Sequence, residues 1–194
     1  MIYFISDLHF DHFNIIKYCK RPYKTTEEMN FDIIRNINNV CKPNDTLYHV
    51  GDYVFKSKPR EFEQAINCKI VFIKGNHDPY EWPEIMTITM GGINFLVQHR
   101  PPTQIAEIPD FCDAVICGHE HNNWKLQSMT RQISENKIQI IPIINVSCDN
   151  WEFKPLDKNQ LIAKIKSSYE TRYHIIKEKN SGIEIIEFGG TKHD

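Results

Sequence analysis

The chain reads as an α/β protein organised around a parallel sheet, and two observations predict this. Short apolar, β-branched runs alternate with helix-like segments across residues 2–73, the order strand, helix, strand, helix, strand that parallel sheets require. Five polar turns each follow directly on such a run. They are Asp7-Leu8-His9, Gly51-Asp52, Gly75-Asn76-His77-Asp78, Gln98-His99-Arg100 and Gly118-His119-Glu120-His121. The pattern predicts that these strand ends meet at one edge of a sheet and hold two metal ions.

The elements follow in order. Residues 2–6 are short and β-rich, as in a buried strand. Asp7 to Arg21 is expected as a loop with a short apolar turn at 13–18, closed by Pro22. Thr25 and Glu28 form a capping box. Met29, Ile33, Ile37 and Val40 then recur at helical spacing, which predicts a helix over 26–41. Pro43-Asn44-Asp45 is a turn before the strand 46–50, and Pro59 opens a helix expected over 59–67. Strand 69–73 ends in the Gly75 turn. Ile85–Met90 and Ile93–Gln98 flank Gly91-Gly92, a two-residue hairpin signature. Residues 113–117 form a strand, 122–137 an irregular polar loop, and 138–146 a long strand interrupted by Pro142. Asp157, with Gln160 three residues on, caps a helix expected over 158–170. The tail, 173–176 and 183–188 around Asn180-Ser181-Gly182, reads as a terminal hairpin within 172–190.

The bulk properties narrow the function classes. With 194 residues, 41% of them hydrophobic, the chain suits one domain, 1–194, with a sizeable core. A net charge of -2 argues against a general nucleic-acid coat protein and gives no strong nucleic-acid signal. No apolar run approaches the ~20 residues of a membrane span. Met1–Ile5 is too short for a secretory core. The six cysteines, 19, 41, 68, 112, 117 and 148, show no C-x-x-C spacing. They read as buried, reduced thiols in a cytoplasmic protein.

Asp7 and His9 stand two apart across one turn, so both can reach one point, and Asp52 ends the next strand. Carboxylate, imidazole and amide oxygen together suit a borderline divalent ion, with manganese first and iron, zinc, nickel or cobalt as alternatives. Calcium or magnesium would normally receive oxygen ligands. The set lacks cysteine, which disfavours a structural zinc site. Gly51, Gly75 and Gly118 adjoin the ligands where the backbone turns sharply off a strand. Singly, each signal is weak: an Asp-x-His pair is commonly a capped turn, and a lone His99 a satisfied polar residue. Their common placement at strand ends gives the set its weight.

These motifs, taken together, resemble the calcineurin-like metallophosphoesterases. The resemblance runs through residues 1–121 and implies a two-sheet αββα sandwich with a dinuclear centre. By motif position it implies that Asp7, His9 and His121 bind the first ion and that Asp52 bridges. Asn76, His99 and His119 would complete the second site. Asn76 would also face substrate. His77 would contact the scissile phosphate and act as general acid, with attack by a metal-bridged hydroxide. The chain departs from the protein phosphatases of that family. Tyr53-Val54-Phe55 follows Gly51-Asp52 where those enzymes carry Asp-Arg-Gly, and Asp78 replaces a Glu. That leaves the acid orienting His77 unassigned and disfavours phosphoprotein substrates. The start Asp7-Leu8-His9-Phe10-Asp11-His12-Phe13-Asn14-Ile15-Ile16 looks closer to small bacterial or phage phosphoesterases.

Residues around these motifs have two readings each. His12 and Asn14 suit a phosphate contact or local turn bonding. Lys17, Lys20, Arg21 and Lys24 suit an anion-steering cluster or a solvated face. Arg100 suits a clamp on a nonbridging oxygen or a surface ion pair. Trp124 and Trp151 suit base stacking or core packing, with Trp124 the stronger candidate for substrate contact. The expected activity is a dinuclear-metal phosphohydrolase acting on a small phosphodiester or nucleotide, cyclic nucleotides included. The alternatives are a nuclease on short RNA or DNA and a non-catalytic scaffold. The complete ligand and acid set weighs against the scaffold.

Overall fold

The computed structural model describes residues 1–55, 57–179 and 182–188. Two sheets face each other. The first carries the opening strands β1 (Ile2–Ile5), β2 (Thr46–Val50) and β3 (Lys69–Ile73). They are parallel in the order β3-β2-β1, with Ile5 beside His49 and Val50 beside Ile73. Their carboxyl ends therefore stop level with one another. Two helices precede β2: α1 (Phe13–Tyr18) and α2 (Thr26–Val40). The short α3 (Pro59–Glu63) precedes β3.

Helix α2 begins where the capping signal places it, with the Glu28 amide donating to Thr25 Oγ1 at 3.2 Å. Its Met29, Ile33 and Ile37 are fully buried against Ile5, Leu47 and Tyr53 on the outer face of the first sheet. Helix α3 is shorter than the expected 59–67. Asn38 replaces its last turn by accepting from the Asn67 amide and donating to the Ala65 carbonyl, each at 2.8 Å.

The second sheet holds β4 (Ile85–Met90), β5 (Ile93–Gln98), β6 (Ala114–Cys117), β7 (Leu126–Ser134) and β8 (Lys137–Asn145). Gly91 and Gly92 both have positive φ, 57° and 77°, as the hairpin between β4 and β5 demands. The core between the sheets packs Phe4, Val50 and Ile73 against Phe95, Val97, Ile116, Ile140 and Ile144. All six cysteines are buried and free.

Three stretches differ from expectation. Residues 126–134, expected as part of an irregular loop, form β7, which pairs antiparallel with β8 from Leu126 to Ser134. Its exposed, mostly polar side chains hid a strand whose stability comes from its partner. β8 itself runs straight through Pro142. The terminal hairpin is absent. After β9 (Leu156–Asp157), helix α4 extends from Lys158 to Lys179, through the residues assigned to the first hairpin arm. Asp157 caps it as expected, accepting from the Asn159 and Gln160 amides at 2.7 and 3.0 Å. Tyr169 and Ile176 bury on the same face as Leu161 and Ile165, so continued packing decides in favour of helix. The second arm survives as β10 (Glu184–Ile185), which pairs in parallel with the start of β8. Of the expected hairpin turn, Asn180 and Ser181 lie outside the described residues. No helix among the described residues is long and apolar enough to cross a membrane.

The sheets are joined at their carboxyl ends. Ser6 bridges Ser147, with the Ser6 amide donating to the Val146 carbonyl and the Cys148 amide donating to the Ser6 carbonyl, both at 3.0 Å. This seam places the ends of β1, β2 and β3 against those of β5, β6 and β8.

Helix α4 and a hairpin respond differently to proline at exposed Arg172. In the helix, Arg172→Pro removes a backbone bond and should lower unfolding free energy by about 3 kcal/mol in urea denaturation. A neutral effect would restore the hairpin.

Candidate metal centre

All five turns arrive at the seam, from two sheets rather than from the single sheet edge expected. Asp7, His9 and His121 bring ligand-capable atoms within 4.8 Å of one another, and so do Asp52, His99 and His119. The groups touch through Asp52. Its Oδ2 lies 3.5 Å from His9 Nε2 and 3.2 Å from His99 Nε2, while its Oδ1 accepts the His77 backbone amide at 2.9 Å. Asn76 lines a cavity of about 410 Å³ together with His99, Lys74, Gln98 and Arg100.

The backbone holds these side chains under strain. Asp7, His9, Asp52, His119 and His121 have φ of 58°, 50°, 60°, 70° and 44°, a left-handed region non-glycine residues seldom enter. Such conformations cost on the order of 1–3 kcal/mol each and gather at functional sites. Close approach explains two of the glycines. A Cβ at Gly75 would meet the Asp52 carboxylate and amide, and one at Gly118 would lie 2.6 Å from Asp7 Oδ2. Asp78 secures the loops, accepting from the amides of Asp52 and Gly75 at 2.8 Å and of Tyr53 at 3.0 Å. Its carboxylate is thus committed to backbone, and it does not orient His77.

The donor set fits divalent cations. His9 and His99 are almost fully buried, yet their Nε2 atoms have no hydrogen-bond partner among the described residues. An unsatisfied buried nitrogen is costly, and two of them facing one carboxylate oxygen are explained by cations between. Burial outweighs the pull of Asp52 on His9 and holds its pKa well below the ordinary value, so His9 presents a neutral ring. Burial also works against charging His99 and His121, but Asp52 raises the first to about 9 and Asp149 the second to about 10. Burial would likewise raise Asp52, yet His99 and His9 hold it well below the carboxylate range.

Two of the histidine tautomers have a visible cause. His99 Nδ1 donates to the Val50 carbonyl at 2.8 Å, which frees Nε2. His121 Nδ1 meets Asp149 Oδ2 at 2.8 Å, and its Nε2 lies 3.9 Å from Asp7 Oδ1. Asp7 is fixed by Ser6 Oγ at 2.6 Å and by the His119 amide at 3.1 Å.

Other predicted residues fall as follows. His12 sits beside the first group, its Nδ1 3.4 Å from His9 Nδ1 and its ring stacked 3.9 Å from that of Phe55. His77 is exposed, with its ring 5.6 Å from His9 and 6.3 Å from Phe55. Arg100 reaches His119, Nη1 to Nε2, at 3.1 Å. Trp124 departs from expectation. Its ring packs into the cluster of Leu96, Val115 and Ile141 on the outer face of the second sheet. Only its carbonyl serves the neighbourhood, accepting from Asn145 and Asn150 at 2.9 Å. Trp151 donates to the Asn145 carbonyl at 2.8 Å as a packing residue.

Sequence reasoning missed Ser6 and Asp149 and misplaced Arg21. Far from being a surface cation, Arg21 has a side chain with no exposure and pairs with Asp149. Asp149 had the same signal as the others, since it follows the end of the strand 138–146. Cys19 stands within 4.8 Å of His121 and Asp149. Arg21 occupies both Asp149 oxygens, at 2.8 and 2.9 Å, so these three do not form another cation site.

The calcineurin-like phosphoesterase superfamily domain matches residues 1–139. The chain belongs to that superfamily. It is 35% identical over 175 residues to an uncharacterized protein of Methanocaldococcus jannaschii, covering 88% of this chain and 94% of that one. The crystal structure of a protein of unknown function from Aquifex aeolicus matches with a TM-score of 0.63 and 25% identity, over 85% of this chain and 99% of that one. An archaeal phosphodiesterase matches with a TM-score of 0.43 and 20% identity, over 82% of this chain and 94% of that one. Family membership makes this a metallophosphoesterase fold, for which divalent metal ions are the family's cofactors.

The raised pKa values of His99 and His121 set a pH dependence. At neutral pH a cation must displace protons from these rings. Apparent metal affinity should rise with pH, by about tenfold per unit for each proton displaced, and level off near pH 10. In the chelator-treated protein the sign reverses. The same ion pairs stabilise fully below pH 6.5, the ordinary histidine value, and are lost as pH rises through about 9 and about 10. Metal titrations and thermal melts from pH 6 to 10 check both signs; a flat affinity profile would contradict them.

Proposed function

We infer that this protein is a dinuclear-metal-dependent phosphohydrolase acting on small phosphodiesters, nucleotides and cyclic nucleotides among them. One observation carries the reading: Asp52 Oδ2 lies between His9 Nε2 and His99 Nε2, one nitrogen from each ligand group. A carboxylate so placed can serve both groups at once. Asp7, His9 and His121 would hold one cation, Asn76, His99 and His119 the other, with Asp52 shared. Manganese is the first choice of metal, and the mixed oxygen and nitrogen donors also accept iron, zinc, nickel or cobalt. Two such cations, when bound, supply charge neutralisation for a phosphate ester and lower the pKa of water.

The chain's own residues do the rest. Asp7 and Asp52, both nearly inaccessible to solvent, would supply the negative charge that holds cations at the seam. His77 has its backbone amide tied to Asp52, which anchors the residue beside the centre while its ring stays exposed. From there it can give a proton to the departing oxygen as water adds to phosphorus and the ester bond breaks. Arg100 stands at the rim next to His119, in reach of a nonbridging oxygen of a bound phosphate. The cavity beside Asn76 has a volume suited to a nucleotide-sized group, and Lys74 and Arg100 give it cationic walls. These features support a diester with a substantial second substituent over a bare phosphate. Six buried, unpaired thiols support a cytoplasmic location.

Two variants separate the roles. His77→Ala should keep both metals and lose about 10²- to 10⁴-fold in turnover of an unactivated diester. Turnover equal to the parent would remove His77 as the acid. Asp52→Asn should weaken metal occupancy at both groups in elemental analysis and calorimetric titration. Loss confined to one group would argue against a shared carboxylate.

A further inference from the structure

The two ligand groups are alike in count but not in what stands behind them. His121 is backed by a carboxylate, Asp149 Oδ2, at 2.8 Å from Nδ1. His99 is backed by a neutral carbonyl, Val50 O, also at 2.8 Å. His119 has a guanidinium against it, Arg100 Nη1 at 3.1 Å. A carboxylate partner makes the opposite ring nitrogen a stronger donor and fixes its direction. A cation against the ring works the other way. The first group also holds the unshared carboxylate Asp7, where the second has the neutral amide Asn76.

Arg21 joins these features into one device. Its Nε and Nη2 grip the two Asp149 oxygens at 2.8 and 2.9 Å. The same guanidinium donates to the Asp7 carbonyl at 2.6 Å and to the Leu8 carbonyl at 2.9 Å. It therefore ties the turn that presents Asp7 and His9 to the carboxylate that aims His121. Arg21 and Asp149 are buried and contribute no ligand of their own to either group. This fork geometry is specific to arginine, since a lysine is a point charge and cannot hold both oxygens and two carbonyls together.

We propose that the Arg21–Asp149 pair is a positioning device that makes the Asp7–His9–His121 group the high-affinity metal site, so that the protein loads its two cations in order. The proposal rests on the dinuclear reading above. It assigns the second group, rimmed by Arg100 and opening on the cavity, to the later and more exchangeable cation. The consequence is a protein that sits singly loaded at low metal concentration and becomes fully loaded only as the metal rises.

The test uses Mn²⁺ and Co²⁺ titrations of the chelator-stripped protein, followed by calorimetry and by the visible spectrum of bound Co²⁺. The wild type should give two steps, the first at least roughly tenfold tighter. Asp149→Asn keeps the shape and a hydrogen-bond acceptor and removes the charge. It should weaken the first step by about 10- to 100-fold and leave the second nearly unchanged. His119→Asn should remove the weak step alone. Arg21→Lys should weaken the first step by an intermediate factor, because it retains charge and loses the fork. Thermal melts of the stripped variants show whether they are folded. If Asp149→Asn is not, Asp149→Glu restores a carboxylate and should recover the first step in part.

Two equal steps in the wild type, or an Asp149→Asn variant that weakens both steps alike, would overturn the proposal. A wild type that binds no metal would instead sink the dinuclear reading itself. Two unequal steps that ignore Asp149 would leave that reading standing and remove only the device.

Discussion

A carboxylate at the join of two sheets governs the rest of the structure. Asp52 is nearly inaccessible to solvent and carries its charge where water cannot compensate it. Isolated, such a charge would be driven to protonate. His99, His9 and the His77 amide prevent this by surrounding both oxygens. Asp78 spends its own carboxylate on the Asp52, Tyr53 and Gly75 amides, which fixes where Asp52 leaves β2. Gly75 lacks a side chain because the Asp52 carboxylate already fills that space.

The fold makes this geometry possible through parallel register. Because β1, β2 and β3 end level, Asp7, Asp52 and Asn76 leave the first sheet at one height. Because Gly118 donates to the His99 carbonyl at 2.9 Å and Val146 to the Cys117 carbonyl at 2.8 Å, the second sheet ends in step as well. The Ser6–Ser147 bridge then fastens one set of ends to the other. The left-handed backbone at five expected ligands is the local cost of turning each side chain back over the seam. The packed sheets on either side sustain that strain, which isolated turns could not.

Much of this was legible in the sequence because it is local. Thr25 and Asp157 announce helix starts by spacing alone, and both side chains make the bonds the spacing implies. Gly91-Gly92 announces a turn whose φ values only glycine accepts readily. The seven expected ligands were found because each follows an apolar run, and the structure gathers six of them into two groups, with Asn76 beside His99. What stayed hidden is non-local. Arg21 and Asp149 are 128 residues apart, and their pairing leaves no periodic trace. Beside three lysines, Arg21 looked like part of a solvated face. β7 looks like a loop because most of its side chains are polar, and pairing with β8 makes it a strand. Helix α4 overran its expected end because Ile176 finds the core, while the Tyr173-to-Ile176 stretch, considered alone, reads equally well as β.

His77 contrasts with its neighbours. Asp7, His9, Asp52 and His99 are buried, and the rings of His99 and His121 are pinned by the Val50 carbonyl and the Asp149 carboxylate. His77 is pinned only at its backbone. Among the described residues its ring meets no carboxylate, and its ring neighbours include His9 and the edge of Phe55. A group that holds a cation benefits from rigidity, since each competing orientation lowers affinity. A group that delivers a proton must recover one from solvent after each turnover, and exposure serves that recovery. Under the proposed mechanism, fixing the His77 amide to Asp52 while leaving its ring exposed would keep a proton donor within reach of the centre and open to solvent. Asp78, the carboxylate nearest in sequence, is given over to the loop backbone.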